Sequence, residues 1–158
     1  MMLDIEPVVV TVRAATAADL DEVLAMHRRC SRESLYRRYV SGAGTPPVVL
    51  LARLLSAGTV VAVATGGAQD GRLVAMASLA GDPAEAAILV EDAWQRRGVG
   101  TLLARRLAGA ARGKILVHVL AGNQPATRTI RRLQSDGTLS AATLIDRDGP
   151  LVTLALEK

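Results

Sequence analysis

Gln95-Arg96-Arg97-Gly98-Val99-Gly100 is the stretch that decides how the rest of this chain reads. A near-continuous apolar run, Ala86 to Val90, leads into it, and a helical pattern leaves it. Two glycines at such a junction let backbone N–H groups close on an anion. The surroundings carry the same polarity: no Asp or Glu lies between Asp92 and Asp136, whereas Arg96, Arg97, Arg105, Arg106, Arg112, Lys114, Arg128, Arg131 and Arg132 all fall there. That polarity suits a polyphosphate ligand.

Working upstream, Ala84 to Val90 reads as a strand, reached through the turn Gly81-Asp82-Pro83 from a strand at Arg72 to Leu79. The turn at Gly66 to Gly71 separates that from another strand at Thr59 to Thr65, and turns this short make the run antiparallel. Val8 to Val12 is β-branched and reads as the first strand, and Thr16-Ala17-Ala18-Asp19 then offers a capping box for a helix running to about Arg29. Leu20, Val23, Leu24, His27 and Cys30 share one face of it. Ser31 can cap a second short helix carrying Leu35, Tyr36 and Tyr39, and Pro46-Pro47 introduces a third from Val48 to Leu55.

Downstream, Leu102, Leu103, Leu107, Ala110 and Ala111 mark a helix through Arg112, Ile115 to Leu120 a buried strand, and Asn123 to Gln134 a further helix. Thr138 to Ile145 and Leu151 to Leu156 form a closing hairpin about the turn Asp146 to Pro150. Only the strand–helix–strand crossover in the second half requires parallel pairing. The expected architecture is therefore α+β: a mixed, mostly antiparallel central sheet with helices on both faces, in one domain spanning residues 1–158.

Composition narrows the function. The chain is 50% hydrophobic and 22% charged, which excludes disorder, and no apolar run approaches the ~20 residues of a membrane helix. With no Phe, one Trp and two Tyr, base stacking on single-stranded nucleic acid has almost nothing to work with. Cys30 is the sole cysteine, so no internal disulfide forms, and two His with one Cys furnish no conventional zinc site. The acidic start Met1 to Glu6 lacks the pattern of a signal peptide, so the expected location is cytoplasmic.

At Gln95 to Gly100 the chain resembles the GNAT superfamily of acyl-CoA N-acetyltransferases, whose signature is Q/R-x-x-G-x-G/A. Arg13 followed by Ala15, Thr16 and Asp19 resembles the family's opening strand and helix, and Ala84-Glu85 through Asp92-Ala93-Trp94-Gln95 its fourth strand and approach to the signature. Ser31-Arg32-Glu33-Ser34-Leu35-Tyr36 is similar to a run found in the bacterial protein-acetyltransferase branch. The resemblance implies acetyl-CoA as cosubstrate without a metal. Arg96, Arg97, Gly98, Val99, Gly100 and Thr101 would hold the pyrophosphate, with Gln95 in the signature, and the Leu89 and Val90 backbone would pair with the pantetheine amides like an added strand. A Cβ at Gly98 or Gly100 would obstruct the approach. Asn123 either hydrogen-bonds the cofactor or caps its helix, and Thr127 and Arg128 are further cofactor-side candidates.

Acetyl transfer needs a neutral amine. An amine of pKa near ~10.4 is almost wholly protonated at pH 7, a cost of roughly 4–5 kcal/mol that a general base relieves. The candidate is Glu85, ten residues before Gln95, where the resemblance implies a catalytic or water-organising carboxylate. Many members use a Tyr in the helix after Asn123 as general acid, but this chain has no Tyr beyond Tyr39. Tyr36 and Tyr39 are expected to shape the acceptor pocket, and the Arg28, Arg29, Arg32, Arg37 and Arg38 group to favour acidic or carboxylated acceptors. His27 and Cys30 read as packing residues and His118 as buried or cofactor-adjacent.

The expected activity is direct acetyl transfer to a protein lysine or small-molecule amine, without a covalent enzyme intermediate, by a monomer or homodimer. The alternative is an acyl-CoA-binding regulatory module without efficient chemistry. A dinucleotide site fails because Leu103 stands at the third glycine position and the turn follows antiparallel strands. Basic nucleic-acid binding lacks any reading motif.

Overall fold

The computed structural model describes residues 9–158. Val8 of the expected first strand and the segment Met1 to Glu6 lie outside the described residues. The first strand, β1, runs Val9–Ala14. Arg13 then lays its guanidinium fork on Asp19, at 2.9 and 2.7 Å, while Asp19 Oδ2 accepts the Thr16 N–H at 2.8 Å. This clamp turns the chain through a 3-10 turn, Ala17–Asp19, into α1, Leu20–Arg29. Helix α2, Arg32–Tyr39, starts where Ser31 Oγ accepts the Ser34 N–H, and α3, Val48–Ser56, follows Pro47. The three helices bury Val23, Met26, Leu35, Leu51 and Leu55 against Val61, Leu73, Met76 and Leu89 on one face of the sheet.

Strands β2 (Thr59–Thr65), β3 (Leu73–Ala80) and β4 (Ala84–Val90) form an antiparallel meander. Because side chains alternate along a strand, the residues between those facing α1–α3 look the other way. There they are small: Ala62, Ala64, Ala75 and Ala77 leave room for α4, Val99–Ala110, to settle with Val99, Leu103 and Leu107 against the sheet beside Trp94. Helix α4 returns the chain to β5, Ile115–Leu120, and α5, Gln124–Ser135, leads on to the hairpin β6 (Ala141–Asp148) and β7 (Leu151–Glu157). The seven strands lie in the order β1-β2-β3-β4-β5-β7-β6. Only β4 and β5 are parallel, as the crossover requires.

The hairpin departs from the sequence reading. Thr138 to Ser140 are not strand: Asp136 Oδ1 accepts the Thr138 N–H and the Leu139 N–H returns to Leu133 O, so they close the end of α5. The polar Asp146-Arg147-Asp148 reads as turn by composition but continues β6 past an irregularity between Leu144 and Asp146. These residues sit on the outermost strand, where polar side chains cost nothing and discourage further pairing. The turn shrinks to Gly149-Pro150, with Gly149 at φ 56° supplying the conformation that other residues avoid.

Candidate active site

The site begins as a gap in the sheet. Strands β4 and β5 pair only at Ala84 with Ile115 and Glu85 with Leu116, then part. In the β3–β4 ladder Glu91 N–H donates to Val74 O at 2.9 Å, and the register sets Met76 opposite Leu89. Alternation along an antiparallel ladder therefore turns the Leu89 backbone groups toward β3 and those of Ile88 and Val90 toward the gap. Of the pair expected to offer an open edge, Val90 turns its backbone toward the gap, where its carbonyl accepts from Gln95; Leu89 is committed to the ladder and buried in the core, and Ile88 is the neighbour whose backbone faces the gap. The cleft that results holds about 230 Å³ and is lined by β4, by Gly100 and Ala104 of α4, by Ala126, Thr129 and Ile130 of α5, and by Ser34 and Arg38 of α2.

The glycine turn closes one end. Gly98 caps α4 at φ 84°, and the first helical hydrogen bond of the helix runs from Leu102 N–H to Gly98 O at 3.0 Å. The N–H groups ahead of Leu102 have no carbonyl one turn earlier to bind, and they sit at the positive end of the helix dipole. Arg96 itself is held at φ 62°, a strained setting for a residue with a Cβ. Val99 and Thr101 bury their side chains, so backbone is what they offer, while Arg96 and Arg97 are exposed and Arg97 lies 4.8 Å above the Trp94 ring. The two glycines have separate reasons. Gly98 needs its left-handed φ, in open space; a Cβ on Gly100 would stand 3.9 Å from Val90 Cγ2 and 4.0 Å from Thr129 Oγ1, between the two walls of the cleft.

Gln95 ties this turn to α2. Its Nε2 donates to Val90 O and to Ser34 Oγ, both at 3.0 Å. Two neighbouring hooks reinforce it: Asp92 Oδ1 accepts the Ser31 N–H at 2.9 Å, and Arg29 Nε donates to the buried Glu91 at 2.8 Å. The segment Glu91 to Gln95 thus fixes the end of α1 and the start of α2 relative to the glycine turn.

Across the last rung joining β4 to β5, Glu85 Oε1 lies 3.3 Å from His118 Nε2. The other ring nitrogen, Nδ1, is 2.8 Å from Thr153 Oγ1 on β7. Glu85 and His118 are both exposed, and His118 lines the cleft, so it is not the buried residue that its apolar neighbours suggested. Sequence reasoning missed the pairing because Glu85 and His118 are far apart in the chain; the parallel register brings them together.

A second chain of contacts runs through α1 and α2. His27, fully buried, has Nδ1 2.7 Å from Val23 O and Nε2 2.6 Å from Tyr39 Oη. The carbonyl can only accept, so Nδ1 carries the proton and Nε2 accepts from the tyrosine. Burial lowers the His27 pKa, keeping it neutral, and pushes the Tyr39 hydroxyl up to about 12. Tyr39 thus turns its hydroxyl into the core and its ring under Arg38, whose guanidinium carbon lies 4.5 Å from the ring centre. Tyr36, by contrast, is exposed and is not among the residues lining the cleft. Cys30 is buried, its thiol pushed up to about 12.

Helix α5 sorts the remaining candidates. Asn123 Oδ1 accepts the Ala126 N–H at 3.2 Å, so Asn123 is the cap, and it also lines the cleft. Thr127 donates back to Asn123 O, and Arg128 to Gln124 Oε1, both on the exposed side. Ala126, Thr129 and Ile130 face the cleft instead, a set that the helical period through Leu133 identifies. The basic stretch is also partly spoken for, since Arg105 pairs with Asp136 at 2.8 Å and Lys114 with Glu157 at 3.3 Å. Among the described residues no cluster of three or more His, Cys, Asp or Glu is arranged to hold a metal ion, and no helix is long and apolar enough to cross a membrane.

Comparison with known proteins adds three findings. Residues 22–134 match the family model described as the acetyltransferase (GNAT) family. No curated protein matches the chain. Among solved structures, the GNAT domain of PAT from S. lividans superposes with a TM-score of 0.74 at 23% identity, covering 93% of this chain and 89% of that one. Diaminobutyrate acetyltransferase EctA from Paenibacillus lautus, in complex with L-2,4-diaminobutyric acid and coenzyme A, gives 0.71 at 15% identity, covering 96% of each. A phosphinothricin acetyltransferase from Sinorhizobium meliloti in complex with AcCoA gives 0.66 at 19%, covering 94% and 87%.

Proposed function

Because the chain belongs to the acetyltransferase (GNAT) family, we propose that it transfers an acetyl group from acetyl-CoA directly to an amine, with both substrates meeting in the cleft between β4 and β5. The observation that carries this reading is the parting of the two strands beyond Glu85 and Leu116, above a turn whose N–H groups precede the first helical hydrogen bond. The residues fit the cosubstrate. An extended chain with amides can pair with the open backbone groups of Ile88 and with the Val90 N–H, the Val90 carbonyl being engaged by Gln95, and the N–H groups of the turn can bind pyrophosphate, aided by a helix-terminal field of ~0.3–1 kcal/mol. Gly100 leaves the passage between Val90 and Thr129 clear. Acetyl-CoA, when bound, supplies an activated thioester.

Glu85 is the proposed general base. Its carboxylate, at the apex of the strand gap, takes the proton that the attacking amine must lose, directly or through a water. His118 Nε2 stands 3.3 Å from Oε1 of that carboxylate and its Nδ1 2.8 Å from Thr153 Oγ1, contacts from two strands that would orient the acid. Cys30 is the sole thiol and is sealed in the core, so transfer proceeds without an acyl-cysteine. Arg96 and Arg97 supply positive charge beside the turn, and Arg128 is a weaker candidate for the same task.

The test is acetyl-CoA-dependent acetylation of a panel of small amines and lysine peptides, with thiol release as readout. The reading expects turnover with at least one class and its collapse in Glu85→Gln. Tight acetyl-CoA binding with no turnover on any acceptor would favour a regulatory module instead.

A further inference from the structure

Among the described residues, Arg38 is the one arginine lining the cleft that makes no ion pair. Its neighbour Arg37 pairs with Glu33 one turn earlier, at 2.5 Å, and Arg29 is consumed by Glu91 and by Leu73 O. Arg38 lines the cleft, and among the described residues it makes no ion pair and no hydrogen bond; its contact is the Tyr39 ring. Burial lowers its pKa. A half-buried guanidinium without a counter-ion carries a desolvation cost, and neighbouring contacts hold it in place. Val23 O fixes His27, His27 fixes the Tyr39 hydroxyl, and the Tyr39 ring supports the guanidinium from below. Ser34, on the same helix, is tied to Gln95 of the glycine turn, so the position of Arg38 relative to the cleft is set at both ends of the helix.

The cleft also has a carboxylate next to its lining. His118 lines the cleft and bears Glu85. An acceptor bearing both an amine and a carboxylate would find Glu85 beside His118 for the first and Arg38 for the second, since a guanidinium fork matches a carboxylate in both charge and geometry.

We propose that Arg38 is an acceptor-binding residue that holds a carboxylate, and that the acceptor is a small amino-carboxylate whose amine is presented to Glu85. The assignment rests on the acetyltransferase reading above and narrows it from any amine to amines that carry an acid. The partial burial of Arg38 among the residues lining the cleft favours a free small molecule over a lysine on a folded protein surface.

The experiment compares matched acceptors that differ at one group: L-lysine with cadaverine and lysinamide, L-ornithine with putrescine, and L-methionine with its amide, beside an acetylated-terminus lysine peptide. Acetyl-CoA binding is measured separately by calorimetry on the same preparations. The expected result is a kcat/KM for carboxylate-bearing members roughly tenfold to hundredfold above their carboxylate-free partners. In Arg38→Gln that preference disappears through a rise in acceptor KM, with acetyl-CoA affinity unchanged. Arg38→Lys, which keeps the charge and loses the fork, retains part of the preference. Tyr39→Phe, which frees the ring from His27, reduces it while leaving Arg38 in place. Equal turnover of matched pairs, preference for the peptide, or no turnover of any carboxylate-bearing member by protein that binds acetyl-CoA would overturn the proposal. Loss of acetyl-CoA affinity in Arg38→Gln would instead assign the residue to the cosubstrate and equally overturn it. Failure of the parent protein to bind acetyl-CoA would count against the acetyltransferase reading itself.

Discussion

Glu85 Oε1 lies 3.3 Å from His118 Nε2 across the last rung that joins β4 to β5, and His118 Nδ1 lies 2.8 Å from Thr153 Oγ1. Three strands therefore contribute to the setting of one carboxylate. If Glu85 is the base, Glu85→Gln lowers kcat by ~10²–10⁴ with acetyl-CoA affinity intact. His118→Ala, which leaves the carboxylate present but unheld, gives a smaller loss in kcat, and Thr153→Val a smaller one still. Steady-state kinetics on the three variants checks the order; a larger loss in His118→Ala than in Glu85→Gln would make the imidazole the base.

The glycines of the turn separate two effects. Gly98→Ala places a Cβ at φ 84° in open space, so it destabilises by about 1–2 kcal/mol through backbone strain alone. Gly100→Ala meets only ordinary contacts and leaves stability and affinity near normal, whereas Gly100→Val extends into the passage between Val90 and Thr129 and weakens acetyl-CoA binding by roughly tenfold, about 1.4 kcal/mol. Denaturant unfolding beside calorimetric titration distinguishes them.

Arg29→Ala strands the buried carboxylate of Glu91, which is 4% exposed and whose remaining contact, Arg72, stands off at 3.7 Å. Removing one partner of a buried pair costs about 3–5 kcal/mol. Glu91→Gln in the same background removes the charge and recovers part of that loss, a coupling that a double-mutant cycle in urea measures directly.

The Arg13–Asp19 clamp fixes a pH window. Hydrogen bonding from Arg13 lowers the Asp19 pKa from 3.8 to about 2. A carboxyl depressed on folding adds stability above its unfolded value, and that contribution disappears as pH falls through the folded value. Asp19→Asn is accordingly less stable than the parent by about 1 kcal/mol at pH 6, and the two converge as pH drops from about 4 to about 2. Unfolding at intermediate pH values follows the convergence.

Much of this was readable in the chain. Thr59–Thr65, Ala84–Val90 and Ile115–Leu120 have the bounds that their apolar runs and flanking turns imply. Asn123 as cap, the Thr16–Asp19 turn and the parallel crossover were equally local or topological signals. What escaped depended on register. Leu89 and Ile88 are indistinguishable by composition, and only the pairing with Met76 turns one inward and the other toward the gap. Asp146-Arg147-Asp148 has the composition of a turn because an outer strand tolerates it. Tyr39 looked like a pocket wall, yet His27, twelve residues earlier, draws its hydroxyl into the core and leaves Arg38 facing the cleft. The Ser31 to Tyr39 run makes sense in the same terms: Ser31 caps, Ser34 receives Gln95, Leu35 packs, and Tyr39 supports the arginine.

The central claim is that the gap between β4 and β5, above the Gln95 to Gly100 turn, is an acetyl-CoA site. Isothermal titration of the parent protein and of Gly100→Val with acetyl-CoA tests it most directly. The account predicts saturable one-to-one binding by the parent, weakened roughly tenfold in a variant that remains folded. Absence of binding by the folded parent, or equal affinity in both, would contradict it.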